Sequence, residues 1–247
     1  MVNNCELFTN KSEAYARCRP SYPSKAIEWL RERVQGESVA DIGAGTGIFT
    51  ACLLPYFKNI CAIEPNADMR KQFSDYLLGI PCFNACGEAT GLPNSSIDLI
   101  TVAQAFHWLD EDSFRLEAQR ILRPNGLTAI IWNSSLETDF TIARDEICKK
   151  YCPRFRLGRA GKRTAAEGDE FLRNTYFKTV QVADFDNPFS MDFDSFIGNM
   201  NSRSYALLPD APDYPAFVAE LTELFKQYAN NGVVVDSQKT TIYLGSF

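Results

Sequence analysis

Residues 39–47 read Val-Ala-Asp-Ile-Gly-Ala-Gly-Thr-Gly, an aspartate followed by three alternating glycines where a strand hands over to a helix. Glycines at such a junction permit a tight turn and let the backbone approach a ligand closely. Gly43, Ala44, Gly45 and Gly47 are therefore candidate ligand contacts. A dinucleotide fingerprint would place glycine or alanine where Ile48 stands, and a phosphate loop would carry a lysine that this segment lacks. About 20 residues further on, Cys61-Ala62-Ile63-Glu64 ends in a carboxylate and is followed by Pro65. A carboxylate there suits a vicinal diol, since it accepts two hydrogen bonds side by side. His107 is the only histidine and follows the apolar run 97–103. Its ordinary pKa of about 6.5 suits proton removal at neutral pH, making it a candidate general base. The competing reading is a packing role within Phe106-His107-Trp108.

These residues need elements to position them. Strands are expected at 38–42, 60–64, 81–85, 97–103 and 127–132, separated by helices at 47–56, 67–78 and 112–122. Upstream lie a helical start at 11–17 and a helix at 24–34 with Ser24 as its N-cap. Strands alternating with helices of this length predict an α/β fold, a Rossmann-like doubly wound and mostly parallel sheet with right-handed crossovers. Past residue 133 the pattern changes to helices at 138–151, 167–174, 192–202 and 214–230, with strands at 179–185 and 238–245. The expectation is one domain over 1–247: a core at 36–133 closed by 238–247, and a helical cap from 1–30 and 138–232.

The Gly-x-Gly-x-Gly spacing after an aspartate resembles the first motif of the class I S-adenosylmethionine-dependent methyltransferases. That resemblance implies a loop packed on the amino-acid part of the cofactor, with Asp41 holding its amino group directly or through water. It assigns Glu64 to the ribose hydroxyls. Gly87-Glu88-Ala89 resembles the segment whose acid accepts from the adenine amino group, with Ala89 beside the ring. The family commonly carries a further glutamate two residues after the first, where this chain has Thr90. Residues 97–108 resemble the fourth strand and its exit loop, which implicates Gln104, Ala105 and Phe106. Residues 15–23 resemble the N-terminal segment of the small-molecule branch (trans-aconitate- and ubiquinone-biosynthesis-like enzymes), where Tyr15 and Arg19 would cover the cofactor. The closing strand fits the family's seventh, antiparallel strand, giving a seven-stranded sheet. Transfer of a methyl group from S-adenosylmethionine to a small-molecule acceptor, leaving S-adenosylhomocysteine, is the implied activity. A binding module without turnover and a nicotinamide-dependent oxidoreductase are the alternatives.

Composition bounds the partners. With 45% hydrophobic and 23% charged residues the chain is ordinary for a globular protein. Its apolar runs are strand-sized, well short of the roughly 20 residues of a membrane span. The start, Met1-Val2-Asn3-Asn4-Cys5-Glu6, lacks the pattern of a secretion signal, so a cytoplasmic protein is expected. A net charge of −6 disfavours nucleic acid as a partner, and the basic run at 154–163 is expected to be a solvated loop. The eight cysteines contain no Cys-x-x-Cys pair, so neither a disulfide framework nor a metal site is expected. A thiol-assisted metalloid transfer would need Cys82/Cys86 or Cys148/Cys152 to converge on the cofactor. A monomer or homodimer is anticipated.

Overall fold

The computed structural model describes residues 18–155 and 163–247. The helix expected at 11–17, Tyr15 within it, and most of the basic run lie outside the described residues. Seven strands form one sheet: β1 (Ser38–Ile42), β2 (Asn59–Ile63), β3 (Cys82–Phe83), β4 (Ile97–Ala103), β5 (Leu122–Ser135), β6 (Thr179–Asp186) and β9 (Gln238–Ser246). Their order is β3-β2-β1-β4-β5-β9-β6. The first five run parallel. The closing strand is antiparallel to both of its neighbours, as the sequence predicts.

The central strands are mostly apolar because both sheet faces are covered, with Asp41 of β1 and Asp98 and Thr101 of β4 as buried polar exceptions. Val39, Ala40 and Ile42 of β1 and Leu99, Ile100 and Val102 of β4 are 0% exposed. On one face, α1 (Ser24–Arg33) and α2 (Ile48–Leu53) contribute Ile27, Leu30, Phe49 and Leu53. On the other, α4 (Glu111–Ile121) contributes Phe114, Ala118 and Ile121, joined by Tyr176 from a π-helical turn at Leu172–Tyr176. Each such side chain stabilises the fold by roughly 1.5–3 kcal/mol. α3 (Ala67–Tyr76) follows β2 and is capped by Asn66, whose side chain accepts from the Met69 N–H.

The cap has a core of its own. Phe140 and Cys148 of α5 (Asp139–Tyr151), Phe196 of α7 (Phe193–Asn201) and Phe217 and Leu221 of α8 (Tyr214–Tyr228) are buried together. α6 (Ala165–Phe171) precedes the π-helical turn. Among the described residues no helix is long and apolar enough to cross a membrane.

Several boundaries differ from expectation, three of them for a clear local reason. Ser24 is the first helical residue of α1 rather than its cap; Pro23 is the cap, and its carbonyl accepts from the Ala26 N–H at 2.9 Å. α2 ends at Leu53, two residues before Pro55, whose ring cannot continue a helix. β5 extends to both sides of its apolar run, because Leu122 pairs with Ile97 and Pro124-Asn125-Gly126 is taken into the strand as an irregularity with Asn125 at φ +68°. A ribbon of β7 (Phe189–Met191) and β8 (Val234–Asp236) is too short to leave a periodicity.

Candidate active site

The site lies at the C-terminal ends of β1, β2 and β4. The glycine loop is clipped to β2 by the Gly43 and Ala44 N–H groups, which donate to the Ile63 carbonyl at 2.8 and 3.2 Å. Gly47 caps α2 at φ +88°, and any Cβ there would stand 2.7 Å from Leu77 and 2.9 Å from Phe73. Gly45 differs. At φ +59° it has nothing within 4 Å of where a Cβ would stand, so the bare backbone faces open space. Two cavities of about 220 and 160 Å³ meet there, both lined by Gly43, Gly45, Ala103 and Gln104.

Glu64 governs the larger cavity. Its Oε2 accepts from the Gly45 N–H and its Oε1 from the Asn66 N–H, each at 2.8 Å. One carboxylate thus fixes the glycine loop and the start of α3, and each oxygen keeps a lone pair for a further donor. Burial, at 7% exposure, pushes the Glu64 carboxyl above its ordinary pKa, against the two backbone N–H groups and Arg70, which pull it down. The same cavity is lined by Met69, Ala105, Trp108 and Leu109, apolar surface suited to a flat ring. Glu88 stands on the same wall, where its Oε1 accepts from the Asp110 N–H at 2.8 Å. Pro65 and Gly87 complete this wall.

The smaller cavity is polar. Asp41 is 1% exposed, its oxygens accepting from Thr50 Oγ1 at 2.6 Å and Thr101 Oγ1 at 2.8 Å. Burial raises its pKa to about 6, against those two hydroxyls, with the nearby Glu64 charge adding a little. Arg19 reaches this cavity and is held by Ser202, donating to its hydroxyl at 2.9 Å and its carbonyl at 3.2 Å. Gln104, at φ +58°, sits where the cavities join. Its N–H donates to the Ile131 carbonyl at 2.9 Å and its side-chain amide to the Asn133 carbonyl at 3.2 Å, holding a backbone conformation that L-residues avoid.

Asp41, Gly43, Ala44, Gly45, Glu64, Pro65, Gly87, Glu88, Gln104, Ala105 and Arg19 are thus brought to the two cavities. Gly47 turns to α3 instead. Ala89 is exposed and outside both walls. Phe106 points into the core, 5.0 Å between ring centroids from Tyr176. His107 stacks on Trp132 at 5.4 Å and lines a separate cavity of about 50 Å³ with Phe171 and Leu172. That placement favours packing over proton transfer. Thr90 turns inward, its N–H and hydroxyl donating to Glu117 Oε1 at 2.8 and 2.5 Å, which accounts for the departure from the usual acid at this position. Cys148 and Cys152 are buried in the cap core, and burial pushes the Cys82 thiol up to about 12. Cys86 lines the larger cavity, so neither cysteine pair converges there as a pair.

Sequence reasoning missed Asn66, Met69 and Leu109 on one side, and Asn133, Asn199, Arg203 and Gln238 on the other. Asn66 was legible as an N-cap two residues after Glu64. Asn199 and Arg203 come from a cap helix and the turn after it, and local patterning says nothing of where those residues land.

The larger cavity fits a nucleoside: a carboxylate with spare lone pairs for ribose hydroxyls, an apolar bed for a base, and a second acid at the rim. Its floor is the bare backbone at Gly45, a space that a Cβ would enter. Residues 40–130 match a family described as methyltransferase domain. An uncharacterized methyltransferase of Mycobacterium tuberculosis is 36% identical over 127 residues, 51% of this chain and 52% of the relative. One from Schizosaccharomyces pombe is 30% identical over 123 residues, 48% and 49% of the two chains. The chain therefore spans about half the length of the curated relatives it matches. Among solved structures, a candidate type II methyltransferase from Anaeromyxobacter dehalogenans shares the fold with a TM-score of 0.69. It is 22% identical, over 92% of this chain and 97% of that one.

Proposed function

We propose that the chain is a class I S-adenosylmethionine-dependent methyltransferase that acts on a small-molecule acceptor, a reading supported by the methyltransferase-domain match over residues 40–130 and by the Mycobacterium relative. The carrying observation is the Glu64 carboxylate, bonded to Gly45 and Asn66 at the mouth of the nucleoside-shaped cavity. In this reading Glu64 accepts from the ribose hydroxyls and Glu88 from the adenine amino group, with the ring against Ala105 and Leu109. Asp41 faces the positive groups of the amino-acid end, and Arg19 its carboxylate. When bound, the cofactor supplies a sulfonium whose methyl group is open to in-line attack, with a neutral thioether leaving.

The protein's part is positioning and exclusion of water. Gln104 and Ala103, at the junction of the cavities, mark where donor and acceptor sides meet. Among the described residues of the smaller cavity there is neither histidine nor lysine, and its carboxylate, Asp41, is engaged by Thr50 and Thr101 and assigned to the cofactor; in this reading the acceptor therefore arrives ionised or is nucleophilic without a base. His107 is assigned to packing. An acceptor of small size suits these partly enclosed cavities better than a nucleic acid, as does the net charge of −6.

The test is transfer of a radiolabelled methyl group from S-adenosylmethionine into a cell extract, separated into small molecules, protein and nucleic acid. Label in the small-molecule fraction supports the reading. Label confined to a macromolecular fraction, or no transfer, contradicts it.

A further inference from the structure

The C-terminal end of α7 brings two guanidinium groups to the smaller cavity. Ser202 holds Arg19, as described. One residue later Arg203 donates to Asn199 Oδ1 and Tyr205 Oη, each at 3.1 Å, which fixes the plane of its guanidinium. Asn199 is 3% exposed and is itself fixed by donating to the Cys18 carbonyl at 2.8 Å. Both Asn199 and Arg203 line the cavity. Beneath them, Asp236 is 1% exposed and takes an ion pair from Arg144 at 3.0 Å while also acting through space on Arg203. Arg144 also pairs with Asp145 at 2.8 Å, so it is matched by two carboxylates, while Asp236 acts on Arg203 only through space. Asp41, a carboxylate on the cavity wall itself, belongs to the glycine-loop side, which the proposed reading gives to the cofactor.

We propose that Arg203 and Asn199 form an oxyanion subsite for the acceptor, which carries a carboxylate or phosphate group. This deepens, and rests on, the methyltransferase reading. A fixed, partly desolvated guanidinium is preorganised for a planar or tetrahedral oxyanion, and the α7 C-terminus supports the positive charge before the ligand arrives. The charges of the bound state agree. The cofactor brings one carboxylate against an ammonium and a sulfonium, leaving one positive charge in a low-dielectric chamber. An anionic acceptor neutralises it, and Arg19 remains for the cofactor's own carboxylate.

The experiment titrates the full-length chain, saturated with S-adenosylhomocysteine, by calorimetry. The probes are succinate, tricarballylate and glycerol 3-phosphate, with succinamide and glycerol as neutral matches. At least one anion should bind while its neutral match is about tenfold weaker or silent, and the anion that binds identifies carboxylate or phosphate as the group read. Arg203→Gln should weaken that anion about tenfold and leave S-adenosylhomocysteine affinity unchanged, whereas Arg19→Gln should weaken S-adenosylhomocysteine. If Arg203→Gln does not fold, Asn199→Asp, which sets a carboxylate in the subsite, should give the same loss. Neutral probes binding as well as anions, no anion binding to the loaded protein, or unchanged anion affinity in the folded variants would each overturn the subsite. Failure of wild-type protein to bind S-adenosylhomocysteine would instead sink the methyltransferase reading beneath it.

Discussion

Replacing Glu64 with alanine tests the site where its claims are most specific. The carboxylate accepts from the Gly45 and Asn66 N–H groups at 2.8 Å each, and would accept from two ribose hydroxyls on its remaining lone pairs. Hydrogen bonds to a charged acceptor contribute about 1.5–3 kcal/mol apiece, but burial has already raised the cost of keeping this carboxyl ionised. Setting the desolvation against two such bonds leaves a loss of about 2–3 kcal/mol in cofactor affinity, roughly 30- to 150-fold in Kd. Glu64→Gln should be nearly as damaging. One of its amide positions would be an NH₂ facing a backbone N–H, donor against donor, at Gly45 or Asn66. The assay is calorimetric titration with S-adenosylhomocysteine, with thermal unfolding run alongside to separate lost contacts from a lost fold. Folded Glu64→Ala protein whose affinity stays within about threefold of wild type would refute the ribose assignment.

Four further outcomes follow from the same geometry. Asp41 has a folded pKa of about 6 against an ordinary value of 3.8, so the native state binds the extra proton between them. Its contribution to stability is therefore largest below about pH 4 and falls as pH rises to about 6, by roughly 3 kcal/mol at most. Cofactor affinity should run the other way, weakening as pH drops through about 6, and Asp41→Asn should flatten that profile in a pH series of titrations. Gly45→Ala forces a Cβ into the cavity at φ +59°; Kd for S-adenosylhomocysteine should rise at least about tenfold, with about 1 kcal/mol lost in denaturant melts. His107→Ala should keep cofactor affinity and turnover within about fivefold while lowering stability by about 1–2 kcal/mol, and a 100-fold fall in turnover with affinity intact would restore the base. Thr90→Val strips a hydroxyl from buried Glu117 and should cost about 1–2 kcal/mol of stability without touching cofactor affinity; an affinity loss would put Thr90 in the adenine site.

Sequence carried the core of this structure further than the cap. β1, β2 and β4 were visible because strands buried on both faces must be mostly apolar, and the glycine loop because only glycine tolerates three left-handed positions in five residues. Glu64 was legible for the same reason: its place at a strand end is set by local chain geometry. The directions of His107 and Phe106 were not legible, and base and packing readings of His107 both stayed open. The 3₁₀ turn Phe106–Trp108 sends Phe106 into the core and His107 onto Trp132, a rotation that no spacing rule encodes. The polar cavity was the least legible part. Arg19, Asn199, Arg203 and Gln238 meet there from segments far apart in the chain, assembled by the packing of the cap rather than by any local pattern.

The most direct measurement of the central claim is a calorimetric titration of the unmodified chain with S-adenosylmethionine, S-adenosylhomocysteine and NADH. The account predicts micromolar binding of the two sulfur compounds and none of NADH. Binding of NADH, or silence toward both sulfur compounds, would contradict it and leave the Gly43–Gly47 loop in need of another ligand.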